Sequence, residues 1–217
     1  MASILKVDSI RGSGQSTDTI SLDGSGNITI PKNVTFSGTF TAPGLSTVIT
    51  NNTTGGTASE LVFDLSMDTS YLYQRYEIEQ VYSSGGGDIY WRSRRASDDT
   101  YFTGSNSYAY SYHYAATGGS SGSGNSGSTY GRINGYGIGN ESTEPRRWII
   151  DIYDNATNGR HTHALWRNSG WYNGGHCDEI GMTMELATTT TNQWKIYNGS
   201  GGTLTYSGYV HYGIKRA

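Results

Sequence analysis

The chain has one cysteine, Cys177, three prolines and four lysines among its 217 residues. A lone thiol excludes an internal disulfide, so apolar burial must hold the fold together. No apolar run approaches the roughly 20 residues that a membrane-spanning helix needs. The opening Met1-Ala2-Ser3-Ile4-Leu5-Lys6 lacks the apolar core and cleavage site of a signal peptide, which predicts a soluble chain not exported by the general route. Charge is sparse, at 15% of residues with a net of −3. The nearest approach to a basic cluster is Arg92, Arg94 and Arg95, followed at once by Asp98 and Asp99. Nucleic-acid binding normally needs a basic footprint, so it is not indicated.

What the sequence does contain is 31 glycines, 27 serines, 26 threonines and 14 asparagines, close to half of the chain. Such a composition disfavours helical bundles and coiled coils, which are rich in Ala, Leu, Glu and Lys. The 18 tyrosines and 5 tryptophans argue against disorder, because disordered chains are poor in aromatics. Arginine outnumbers lysine 11 to 4, a bias that suits planar hydrogen-bonded or stacked contacts.

Two textures divide the chain. Residues 1–45 contain no Tyr or Trp and read as short β pieces at 4–7, 19–22, 27–30 and 34–36, with a turn at Asp23-Gly24-Ser25-Gly26. So few large apolar residues predict an attachment segment or stalk that folds on a partner or on copies of itself. Residues 46–59 read as a linker. Beyond them, period-2 patterning predicts about ten strands: Ile180, Met182, Met184 and Leu186 share one face, opposite Glu179 and Glu185. Leu204, Tyr206, Val210, Tyr212 and Ile214 alternate likewise, as do Trp148, Ile150 and Ile152, and Trp194 with Ile196. The expectation for 60–217 is all-β, an antiparallel two-sheet sandwich of jelly-roll type, with a closed barrel as the alternative. Ala115 to Thr129 is low-complexity and reads as the longest loop.

Catalytic signatures are thin. Gly122-x-Gly124-x-x-Gly127 matches a dinucleotide fingerprint as a string, but no helix follows to meet a pyrophosphate. His161 and His163 are a candidate imidazole pair for a metal, against a plain polar strand face. The pairs Glu77/Glu79 and Glu179/Glu185 read as solvated strand faces, and glycoside hydrolysis needs two acids flanking a bond. No Gly-x-Ser-x-Gly elbow occurs. The sequence implies no enzyme and no cofactor.

Aromatics are more informative. Tyr108, Tyr110, Tyr112 and Tyr114 alternate along one stretch, where core or subunit interface is the favoured role. In loops, Tyr101, Phe102 and Asn106, and separately Trp171, Tyr172 and Asn173, are the candidate ligand contacts.

Residues 1–10, MASILKVDSI, and 18–31, DTISLDGSGNITIP, resemble the opening of tail-fibre, spike or head-fibre proteins of marine and cyanobacterial tailed phages. The second half is similar to the C-terminal domain of such fibres at 63–65, 76–79, 89–93, 149–154 and 209–214. The resemblance implies a homotrimeric virion protein whose N-terminal part docks on other virion proteins. Its C-terminal sandwich would meet a host-surface glycan or outer-membrane protein. A capsid decoration protein is the alternative, and the absence of a long repetitive shaft favours a short spike or capsid-mounted fibre. The family brings no catalytic residues to transfer.

Overall fold

A computed structural model describes residues 9–10, 20–22, 28–29, 46–117, 119–140, 142–172 and 175–215. Two compact units divide the chain, Met1–Phe40 and Thr41–Ala217. In the first, β1 (Ser9–Ile10), β2 (Ile20–Leu22) and β3 (Ile28–Thr29) form a small antiparallel sheet. The sequence pieces at 4–7 and 34–36 lie outside the described residues.

The second unit is the expected antiparallel sandwich. Among the described residues there is no helix. Its larger sheet runs β10 (Gly119–Ser128), β9 (Tyr108–Ala116), β14 (Gly175–Glu185), β13 (His163–Tyr172), β12 (Arg146–Tyr153) and β7 (Tyr71–Ser83). Beyond β7 the first part of that strand pairs with β17 (Gly208–Lys215), which carries β4 (Ser46–Asn52). The end of β7 pairs with β16 (Leu204–Tyr206), which carries β5 (Gly56–Ala58). The smaller sheet is β11 (Gly131–Arg132), β8 (Ile89–Arg95), β15 (Thr191–Asn198) and β6 (Glu60–Asp64). The chain crosses between sheets at β5–β6, β6–β7, β7–β8, β8–β9, β10–β11, β11–β12, β14–β15 and β15–β16, as a jelly-roll-like sandwich does.

The core lies between the sheets and is largely aromatic. Phe63 of β6 stacks on Trp194 of β15 at 4.4 Å between centroids, and Tyr76 of β7 meets both edge-on. Trp91, Trp148, Trp166, Ile78, Ile150 and Ile152 are among its other members. Gln80 has φ +53° at a bulge where Ile78 pairs with Trp148 but Val81 pairs with Arg146. The extra residue lets Ile78 and Val81, three apart, both point inward.

Four expectations need correction. Residues 46–59 are not a bare linker, because β4 and β5 are paired strands of the sandwich; Thr- and Asn-rich edges can pair through backbone alone. The stretch 115–129 is not a loop: it holds the end of β9 and all of β10, which pairs antiparallel to β9 from Gly119↔Ala116 to Ser128↔Tyr108. An edge strand needs only backbone donors and acceptors, and glycine suits the close approach. A Cβ on Gly122 or Gly124 would lie 2.9 Å from the carbonyl oxygen of Tyr112 or Tyr110. Finally, the polarity of β14 is inverted. Glu179, Thr183 and Glu185 face the core, whereas Ile180 and Met182 are exposed. Small inner positions make room for large neighbours: a Cβ on Gly181 would sit 2.3 Å from the Trp166 ring. Strand β17 is inverted as well, with His211 and Gly213 buried and Val210, Tyr212 and Ile214 on the outer side.

Candidate functional site

The inversion of β14 places an apolar and arginine-bearing field on the outer face of the larger sheet. Register fixes its layout. One cross-strand row reads Glu77, Ile149, Arg167, Ile180 and His113 across β7, β12, β13, β14 and β9. The row toward one end reads Arg75, Asp151, Leu165, Met182 and Ser111; toward the other it reads Arg147, Ser169, Asp178 and Ala115. Beyond that lies Trp171 opposite His176. Ile180 is 63% exposed, Trp171 50%, Leu165 42% and Met182 37%. Scattered surface leucines are ordinary, but adjacent aliphatic side chains on one sheet face form a patch of the kind that marks interaction surfaces.

A shallow groove of about 530 Å³ crosses this field, lined by His113, Arg147, Ile149, Arg167, Ser169, Asp178 and Ile180 among others. Its charges differ in their commitments. Arg147 is held by Glu77 and Glu79, each at 3.0 Å. In the adjacent row, outside the groove, Arg75 is paired with Asp151 at 2.7 Å. Asp178 has only His176, at 3.7 Å, among the described residues. Arg167 is exposed and has no hydrogen-bond or ion-pair partner among the described residues.

Beneath the groove is a buried polar knot. Glu179 accepts from Arg146 Nη1 at 2.8 Å, Asn168 Nδ2 at 2.9 Å, and the backbone N–H groups of Gly135 and Tyr136 at 2.8 and 2.7 Å. A second buried carboxyl, Glu185, accepts from the hydroxyls of Ser93 and of Thr191, the latter at 3.0 Å. Burial without a paired cation pushes its pKa up to about 7. The sequence reading of both glutamates as solvated is thus overturned, because each finds partners inside that a strand pattern does not display. Glu77 and Glu79 do lie on the outer face, in ion pairs with Arg147.

The predicted contact residues separate into two groups at opposite ends of the sandwich. The Tyr101 hydroxyl donates to Gln193 Oε1 at 2.5 Å and its ring lies under the Lys195 ammonium at 4.2 Å. Phe102 is buried beneath the Arg95 guanidinium, 4.7 Å from its ring. Asn106 is exposed in a turn with φ +61°. Trp171 stands at the far end of β13, next to the groove, with its ring edge toward His176 at 6.5 Å. Asn173 and the side chain of Tyr172 lie outside the described residues. Of the strand tyrosines, Tyr108 is buried, while Tyr110 and Tyr112 stack at 6.4 Å in a half-buried ladder. Tyr130 links that ladder to Tyr90.

His161 and His163 do not converge. His163 stacks on Tyr153 at 5.0 Å, and the exposed His161 reaches the Ala187 carbonyl at 3.3 Å. No group of three metal-ligating side chains occurs among the described residues.

The sequence reading missed Arg167, Asp178, Ile180 and His113 as a group. The signal was the alternation Ala164, Trp166, Asn168: with Trp166 inward, Leu165, Arg167, Ser169 and Trp171 must face out. Comparison with protein-family models, curated proteins and solved structures finds no match to this chain.

Proposed function

We propose that this chain is a phage virion fibre or spike protein, homotrimeric and non-enzymatic, that attaches the particle to a host-surface polysaccharide or protein. The observation that supports this reading is the outer face of the larger sheet. An aliphatic and aromatic field of Leu165, Ile180, Met182 and Trp171 is set around arginines on a rigid sheet. Such a surface suits macromolecular contact better than it suits chemistry on a small substrate. The N-terminal segment 1–45 joins the sandwich to other virion proteins, and three copies of one weak site gain avidity without new contacts.

Light scattering on the full chain, combined with adsorption to a panel of marine bacterial and cyanobacterial cells, tests the reading. Three chains of 23.5 kDa give a particle of about 70 kDa. A trimer that adsorbs to cells and competes with phage is the expected result. A monomer that binds purified capsids and no cell surface would instead assign the chain to capsid decoration.

A further inference from the structure

We infer that the outer-face groove between β12, β13, β14 and β9 is a binding site for a carboxylated saccharide, with Arg167 taking the carboxylate and Trp171 the apolar face of a neighbouring ring. The inference rests on the receptor-binding reading and names its ligand class and place.

Three observations carry it. Arg167 has no carboxylate or carbonyl partner among the described residues, whereas the neighbouring Arg147 and Arg75 are both held by acids. Its flanking cross-strand neighbours are Ile149 and Ile180. A carboxylate docked on that guanidinium would be flanked by aliphatic side chains and partly shielded from water, which strengthens a bidentate bond. Trp171 lies on the same face of the same strand four residues on, about 13 Å away at roughly 3.3 Å per residue. That span fits two to three linked pyranose rings, and between the two lie Ser169 and Asp178, able to bond sugar hydroxyls. The groove around Arg167, of about 530 Å³, has room for the acidic residue of such a ligand, and Trp171 stands beyond its Ser169–Asp178 side.

Charge selects among anions. Glu77 is neutralised by Arg147, but Asp178 lies in the groove beside Arg167, so a doubly charged phosphate meets more repulsion there than a single carboxylate does. A single carboxylate matches one free guanidinium fork.

Isothermal titration of the full chain with tetragalacturonate, and with maltotetraose as the neutral counterpart, tests the inference. Preference for the acidic probe is expected, with affinity falling at least tenfold in Arg167→Gln and in Trp171→Ala. Arg167→Lys should recover part of the loss, since it restores charge without the fork. Melting temperature reports whether each variant keeps its fold, and both positions are exposed. Equal binding of the two probes, binding of neither, or unchanged affinity in folded Arg167→Gln overturns the inference. Adsorption of the same proteins to cells separates the two levels. Cell binding by wild type that Arg167→Gln retains leaves the receptor reading standing and removes this site; loss of all cell binding by wild type removes the reading itself.

Discussion

Nη1 of Arg146 donates to Oε1 of Glu179 at 2.8 Å, and both side chains are wholly shielded from solvent. Burying such a pair is costly unless every remaining lone pair is met. Here Asn168, the Cys177 thiol and two backbone N–H groups from Gly135 and Tyr136 meet the carboxylate as well. The knot therefore pins the 133–136 segment to β14 and sets the floor of the groove.

Removing the carboxylate should be severe. Glu179→Ala leaves a guanidinium and two backbone donors without their acceptor, and is expected to cost about 3–5 kcal/mol. Glu179→Gln keeps one acceptor oxygen but turns an amide toward a donor, and should still destabilise. Urea denaturation followed by tryptophan fluorescence checks both. A loss under about 1 kcal/mol in Glu179→Ala, the scale of an ordinary hydrogen bond, would show that the pair does not hold the segment.

Two buried groups oppose each other in pH. Glu185 is raised from 4.5 to about 7 by desolvation, so its contribution is full below 4.5 and is lost as pH rises through 7. His211 is lowered from 6.5 to about 4 by desolvation, stacked on Tyr76 at 4.1 Å and bonded to Gln74. Its contribution is full above 6.5 and is lost as pH falls through 4. Between pH 4.5 and 6.5 one group favours folding as acid is added and the other disfavours it, so their slopes cancel. Glu185→Gln should expose the His211 slope: stability rising with pH across that window, at most on the order of 1 kcal/mol per pH unit. Chemical denaturation at half-unit steps reads it, and a flat profile in the variant would refute the opposition.

Cys177 is buried against Glu179, whose carboxylate accepts from its thiol at 3.5 Å. Burial, helped by that negative charge, pushes the thiol up to about 11. At about pH 8, near the ordinary thiol pKa, the folded protein should therefore react with a chromogenic disulfide far more slowly than the urea-unfolded chain. Equal rates would place the thiol at the surface.

Much of the sandwich was legible because its strands obey one rule. In β12 and β15, Trp148, Ile150, Ile152, Trp194 and Ile196 face inward as alternation requires. The reading failed in β14, where the apolar set faces out. Periodicity locates two faces and cannot say which is buried; the choice was made by Trp166 on the adjacent strand, which needs the space above Gly181. The groove was illegible for the same reason, since Ile180 and Arg167 share it only once that choice is made. The Gly-Ser run of β10 misled differently, because backbone pairing leaves no side-chain pattern to read.

Gly181 is thus the position on which the inversion turns. A methyl group there would lie 2.3 Å from Trp166 Cζ2 and 2.6 Å from the Ser111 carbonyl oxygen. Neither neighbour can withdraw easily: Trp166 is packed in the core, and Ser111 is backbone of the paired strand β9. Overpacking of this kind typically costs about 1–3 kcal/mol, and more where backbone must move. Gly201 is the control, with φ +87° and nothing within 4 Å of where a Cβ would stand. Gly201→Ala therefore bears only the left-handed backbone penalty of about 1–2 kcal/mol. Gly181→Ala should in addition disturb the spacing of β13 and β14. The expected signature is a lower melting temperature together with a shift in Trp166 emission, which Gly201→Ala does not produce. If the emission stays unchanged in Gly181→Ala, the indole does not rest over that glycine, and another cause must be found for the outward face of Ile180 and Met182.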